Sequence, residues 1–457
     1  MTTTAALPHL SVHVPRATPR WWSDLGGLAA GTSLLVVTAL WVRDGGVQGL
    51  SSETLMSTGR LSGLWAADLL LLQVLLMARI PVVERAFGQD RLARWHRWVG
   101  FTSFWLMLAH IVLITFGYGN FLPTLWDFTV DYPGMLLAIA GTALILAVVA
   151  TSLRAARRKL RYESWHLLHL YAYLGVGLAL PHQLWTGSDF RTSPAATAYW
   201  WTLYAVSAGA VIAYRIGLPA WRTWRHRLMV SHVAPQGPGL TSVFLEGRHL
   251  DRLPVRAGQF FQWRFLDGPG WTRAHPYSLS AMPHGRGLRI TVKDLGDGSS
   301  RAAGLRPGTR VIIEGPYGKL TGDTYGGGPV ILLACGIGVT PLLALLGELP
   351  YRPGEATLVY RARGEDEIAF RGELEWLARH RGVRVVYLLG PRAARPSWLP
   401  ARYANYPDAE ALRLIAPEVA RSHLYVCGPD EWTAAARAAA LEAGANAGRV
   451  HTEQFSW

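Results

Sequence analysis

A chain of 457 residues has room for two or three domains, and a net charge of +14 invites a nucleic-acid reading. The placement of that charge excludes it: the basic residues collect beside long apolar runs, where membrane orientation accounts for them. Two cysteines outside any CxxC spacing, Cys335 and Cys427, exclude a zinc site or a disulfide framework, and no early apolar segment with a small-residue cleavage site suggests a cleaved signal peptide.

After an N-terminal cytosolic segment, 1–21, residues 22–218 are predicted to form a membrane α-helical bundle. A spanning helix needs about 20 mostly apolar residues. Six stretches supply them: 22–42, 61–80, 99–117, 134–153, 165–184 and 195–216. The connection 79–97 carries Arg79, Arg85, Arg91, Arg94 and Arg97, and the connection 154–161 carries Arg154, Arg157, Arg158, Lys159 and Arg161. The opposite loop, 117–133, has no Lys or Arg. The positive-inside rule therefore predicts a multi-pass protein of the cell membrane with both termini cytoplasmic.

Polar side chains at membrane depth are expensive and ask for a role. The third span carries His96 and His110, and the fifth carries His166, His169 and His182. The separation of His96 from His110 is a rise of about 21 Å, and that of His169 from His182 about 20 Å, so the levels match. The first pair returns to within roughly 40° of one face; the second is roughly 140° apart on an ideal helix. Pro181 can rephase the helix just before His182. Opposed imidazoles at two depths can make two bis-histidine haem sites, with metal ligands His96, His110, His169 and His182. The plainer alternative is that each histidine bonds a neighbouring helix. His166 is read as structural or as a propionate contact, and Arg94 and Arg97 as propionate contacts or positive-inside charges. Asp68, in the second span, is a hydrogen-bonding or functional buried acid.

From 225 the pattern turns to short alternating runs, LMVSHVAPQ, LTSVFLEG, GQFFQWRF, PYSLSAMP, LRITVKDLG and TRVIIEGPYG, which predict a β-barrel domain over 225–325. The run His275-Pro276-Tyr277-Ser278-Leu279-Ser280 resembles the flavin-binding strand of the ferredoxin–NADP reductase superfamily. The His-Pro form is closer to its NADPH oxidase and ferric reductase branch. The usual pattern has Arg where this chain has His275. The resemblance implies that Tyr277 packs on FAD and that the Ser278 hydroxyl sits near its reactive nitrogen. Gly298, Ser299 and Ser300, in the Gly/Ser turn after LRITVKDL, would offer backbone N–H groups to the FAD pyrophosphate.

Residues 326–457 read as an α/β nucleotide-binding domain. In PVILLACGIGVTPLLALL a strand runs into a glycine loop and a helix. Gly336 and Gly338 let backbone approach a pyrophosphate, and Pro341 suits a first helical turn. With Thr340, this resembles the GxGxTP loop of the same superfamily. TLVYRAR ends in Arg361 and Arg363, which either grip the 2′-phosphate of NADPH or are surface charges; on this the cofactor is read as NADPH, with NADH left open. Cys427, Gly428 and Pro429 resemble the element bordering the nicotinamide, with Cys427 beside the hydride path rather than a nucleophile. In HTEQFSW the resemblance implies a terminal aromatic over the flavin, Phe455 or else Trp457.

The resemblance to the NADPH oxidase/ferric reductase family runs from the second span to the last residues. It implies a flavohaem oxidoreductase that moves electrons from cytosolic NADPH through FAD and two haem b to an acceptor beyond the bilayer. Ser278, Cys427 and Phe455 would line the reaction site. The acceptor stays open between oxygen, giving superoxide, and a ferric chelate, with an extracytoplasmic redox protein as a third partner. A haem-binding or transport protein with a vestigial soluble domain is the non-enzymatic rival. No EF-hand loop is present, which excludes calcium control through that motif.

Overall fold

The computed structural model describes residues 21–46, 52–153, 156, 160, 162–187, 193–296 and 298–454. The expected segment 1–21 lies outside them save Trp21. So do Arg154, Arg157, Arg158, Lys159 and Arg161 of the basic connection, and the terminal Phe455 and Trp457. The chain divides into two compact units at Leu218 and Pro219.

The first unit is helical: α1 (Trp21–Arg43), α2 (Ser52–Met77), α3 (Pro81–Phe87), α4 (Gln89–Tyr118), α5 (Phe121–Asp131), α6 (Met135–Ser152), α7 (Tyr162–Thr186) and α8 (Pro194–Val211). The long helices are mostly apolar, and large side chains such as Leu35, Trp105 and Leu136 face outward, which suits a lipid solvent. Among the described residues, five helices are long and apolar enough to cross a membrane, and each overlaps an expected span. The remaining expected span, 165–184, lies in α7, whose 25 residues give it the length, while Glu163, three histidines and Gln183 dilute its apolarity. It stays helical through Pro181. After α8 a π turn, Ile212–Gly217, leads to α9 (Leu218–His226).

The second unit begins with six antiparallel strands: β1 (Met229–Gly237), β2 (Leu240–Glu246), β3 (Phe260–Phe265), β4 (His275–Ser278), β5 (Gly287–Lys293) and β6 (Val311–Tyr317). Alternating side chains pack inward around Val243, Phe261, Trp263, Ile290 and Ile313. The expected closed barrel is instead two three-stranded sheets, ordered β1-β2-β5 and β4-β3-β6. Only the isolated bridges Met229–Arg310 and Leu279–Ile290 join them among the described residues, because the β4 pairing ends at Ser278. Helix α9 docks on this part: Arg222 donates to the Gly315 carbonyl, and Ile313 N donates to Thr223 Oγ1 at 3.3 Å.

A five-stranded parallel sheet follows, ordered β11-β10-β7-β8-β9, with β7 (Val330–Cys335), β8 (Ala356–Ala362), β9 (Arg384–Leu389), β10 (His423–Gly428) and β11 (Val450–Gln454). Helices α10 (Val339–Glu348), α11 (Arg371–Arg381), α12 (Asp408–Ile415) and α13 (Asp430–Glu442) connect its strands. Both faces are covered: Leu332 and Ala334 join one core, Ile331 and Leu333 the other. That is why β7 reads as a continuous apolar run rather than an alternation.

Candidate functional site

Strand β4 is an edge strand held against β3, with Tyr277 opposite Phe261. Trp263 Nε1 donates to the Tyr277 carbonyl at 2.9 Å and pins the backbone there. The Tyr277 ring lies nearly parallel to His275, their centroids 6.0 Å apart, and burial pushes its phenol up to about 12. Ser278 Oγ is buried with no hydrogen-bond partner among the described residues. A shallow cleft opens beside this strand, lined by Trp271, Arg273, His275, Tyr277, Gly298 and Arg301. Gly298 is needed because a Cβ there would sit 2.3 Å from the His275 ring. The turn is braced by its own serine: Leu295 N donates to Ser299 Oγ at 2.8 Å, and Ser299 Oγ donates to the Gly296 carbonyl at 2.7 Å. Ser300 opens a five-residue 3₁₀ helix, Ser300–Gly304.

The second half-site is the β7–α10 loop. Gly336 has φ +56°, in the left-handed region, and nothing lies within 4 Å of where its Cβ would point. Gly338 is the opposite case, with its Cβ position 2.2 Å from the Cys427 carbonyl. The loop is thus open on one side and pressed against β10 on the other. Thr340 Oγ1 caps it by donating to the Ile337 carbonyl at 2.8 Å, and Pro341 lies buried in the first turn of α10. Pro429 precedes α13 as its N-cap residue. Cys427 is fully buried, and burial raises its thiol well above the ordinary range. Cys335, partly buried, is pushed up to about 11 by the same desolvation.

The structure separates the two arginines of β8. Arg361 is buried and turned onto backbone: it donates to the carbonyls of Ala362, of Leu388 at 3.5 Å and of Pro391 at 3.0 Å. Arg363, just past the strand end, is exposed.

In the helical unit, His96 and His169 face each other with ring centroids 5.8 Å apart. His110 and His182 are close enough to act on one another electrostatically. In all four rings Nδ1 already meets an oxygen: the Gln73 carbonyl at 3.3 Å for His96, the Gly59 carbonyl at 2.8 Å for His110, Ser152 Oγ at 3.3 Å for His169 and the Ala179 carbonyl for His182. Nε2 is the nitrogen left over, and such an outer tether is what fixes a metal-binding imidazole. Asp68, fully buried, accepts from Ser33 Oγ at 2.8 Å and Tyr199 Oη at 2.5 Å, so it ties α1, α2 and α8 together. No cluster of three or more metal-ligating side chains occurs among the described residues; two histidines per iron is a different arrangement.

Residues 62–180 match the family described as ferric reductase like transmembrane component, and residues 332–438 match the oxidoreductase NAD-binding domain. The ferredoxin–NADP reductase B of Sorangium cellulosum is 30% identical over 233 residues, 49% of this chain and 94% of that protein. The chain belongs to the ferredoxin–NADP reductase family. A flavohemoprotein of Chromobacterium violaceum is 28% identical over 281 residues, 56% of this chain and 68% of its own. The FAD/NAD-binding domain of a Vibrio cholerae nitric oxide dioxygenase aligns with a TM-score of 0.40 at 23% identity, over 50% of this chain and 98% of that one. The reductase is therefore a membrane oxidoreductase with an NAD(P)H- and FAD-binding half, and the matched membrane residues include His96, His110 and His169.

Sequence reasoning missed four residues of the reductase half. Trp271, Arg273 and Arg301 line the cleft with His275. Arg273 stands two residues before His275, in the turn that leads into β4, and that closeness was the available signal for a cation beside the His-Pro motif. Glu453 pairs opposite Cys427, and its carboxylate accepts from Leu320 N at 3.3 Å. It stands two residues before Phe455, in a segment whose aromatics dominate its sequence pattern. Phe455 and Trp457 lie outside the described residues.

Proposed function

We propose that the reductase takes a hydride from NADPH onto FAD and sends the electrons through two b-type haems to an acceptor on the far side of the bilayer. The observation that carries the membrane part is the facing pair His96 and His169, with His110 and His182 close enough to influence one another and every Nδ1 of the four tethered. FAD would turn a two-electron hydride into single electrons, and haems would carry these through an insulating layer.

The chain's own residues suit those tasks. Tyr277 and Trp263 hold the β4 backbone, and buried Ser278 offers its free hydroxyl to the flavin's reacting edge. His275 and Gly298 form one wall of the cleft, and Arg273 and Arg301 bring guanidinium charge to a pyrophosphate. Gly336, Gly338 and Thr340 shape the nicotinamide nucleotide loop, Cys427, Gly428 and Pro429 border the nicotinamide, and Arg363 is placed for the 2′-phosphate. Buried Cys427 is packing rather than nucleophile. Phe455 or Trp457 covers the flavin face until nicotinamide enters. Both chain termini are cytoplasmic. Oxygen or ferric iron is the acceptor, and a dedicated extracytoplasmic redox protein is the alternative.

Haem and FAD content of the purified protein tests this. The expected ratio is two haems and one FAD per chain, falling to one haem in H110A with FAD unchanged. Folded, FAD-loaded protein without haem would remove the membrane part of the proposal.

A further inference from the structure

The flavin-strand sheets and the nucleotide lobe meet at a buried cation that the chemistry above does not use. Arg289, on β5, employs most of its guanidinium. Nε donates to Ser280 Oγ at 3.0 Å, and Nη2 to the Ser280 carbonyl at 2.5 Å. The outer edge forks onto Glu373, with Nη1 to Oε1 at 2.6 Å and Nη2 to Oε2 at 2.9 Å. Phe370 and Phe244 flank the cation, at 5.1 and 5.9 Å from its carbon to the ring centres. Ser280 Oγ also accepts from Thr291 Oγ1 at 2.8 Å, which in turn bonds Ser242.

The two ends of this chain of bonds have functional neighbours. Ser280 lies two residues beyond Ser278, just past the end of β4. Glu373 stands in the first turn of α11, the helix that follows Arg363 and the Gly364–Phe370 turn, where the helix N-terminus favours a carboxylate. The two partners differ in exposure: the Arg289 side chain is 9% exposed and Glu373 42%. Water and salt reach the carboxylate but not the guanidinium, so the pair opens from the nucleotide side. Opening it leaves a buried arginine without its counter-charge, so the pair is closed at low salt and loosens as screening of the exposed carboxylate rises.

We propose that Arg289 and Glu373 are positioning residues, a latch that fixes the Ser278–Ser280 strand to the nucleotide lobe and so sets the hydride-transfer distance. The proposal rests on the reading that Ser278 faces the flavin and the Gly336–Gly338 loop faces NADPH. Hydride transfer is steeply sensitive to placement, a misfit of about 1 Å costing on the order of 100-fold. A bidentate charge-assisted fork supplies the needed geometric definition.

The test is stopped-flow reduction of bound flavin by NADPH in the full-length, FAD-loaded protein, across a salt series. Glu373→Gln keeps the shape and removes the charge at a half-exposed position. The latch predicts that its limiting rate falls about tenfold. Half-saturation by NADPH should move by less than about twofold, with FAD still bound. The wild-type rate should decline with salt toward that of the variant, which stays flat. Arg289→Lys, which keeps the charge but loses the fork, should show the same fall. Wild-type rate and salt dependence in Glu373→Gln overturn the latch. So does a variant that loses FAD while each remaining flavin is reduced normally, since that is a merely structural role. Failure of NADPH and NADH to reduce the wild-type flavin overturns the underlying reading as well, and is told apart because the first two outcomes leave wild-type reduction intact.

Discussion

A hydroxyl buried without a partner costs about 1–3 kcal/mol. Ser278 Oγ is in that state among the described residues. Ser278→Ala should therefore not lower the melting temperature of flavin-free protein, yet should slow flavin reduction about tenfold in stopped flow, the worth of one hydrogen bond of roughly 1.4 kcal/mol. Equal loss of stability and rate would assign the hydroxyl a structural role. Arg361 and Arg363 could not be told apart in the sequence, because they sit two apart on one face of a strand. The carbonyls that occupy Arg361 come from Leu388 and Pro391, far along the chain. Arg363→Ala should raise the half-saturating NADPH concentration at least tenfold and leave that for NADH nearly unchanged. A third residue-scale prediction concerns His451, which stacks on His423. Burial, then the neighbouring His423, holds its imidazole down at about 4 against the ordinary 6.5. The folded protein then binds fewer protons than the unfolded chain in that window. Its contribution to stability is complete above about 6.5 and lost as the pH falls toward 4. The melting temperature should drop across that range, with a shallower slope in His451→Gln; an unchanged slope would contradict the shift.

At the scale of elements, helix α2 meets α4 through glycine. A Cβ at Gly63 would lie 2.5 Å from His110 Nδ1, so the ring rests directly on the glycine backbone. Gly63→Ala should displace that ring and lower haem content by one per chain, measured against FAD; full haem content would show that the His110 side has slack. The sequence carried the membrane segments clearly, because 20-residue apolar runs have no competing explanation. The expected histidine levels rested on simple rise and the expected phase on Pro181; in the structure His96 and His169 face each other, and α7 is helical on both sides of that proline. The flavin sheets were legible as strands by alternation, but not as two sheets joined by single bridges. Closure depends on pairings between β1 and β6 and between β4 and β5, which local pattern does not encode.

For the whole molecule, motif order told most. The HPYSLS, GIGVTP and CGP elements follow one another in the order the resemblance implies, and the last two fall within the matched NAD-binding domain, 332–438. The Arg289–Glu373 fork was invisible in the sequence because both residues look like ordinary charges on separate elements, 84 positions apart. The central claim is electron flow from the nucleotide to the membrane histidines. It is tested most directly by adding NADPH anaerobically to purified protein loaded with FAD and haem, and following both absorption spectra. The account predicts flavin bleaching followed by full reduction of two haems per chain, with the second haem's share lost in His110→Ala. Bleached flavin beside haems that stay oxidised would contradict it.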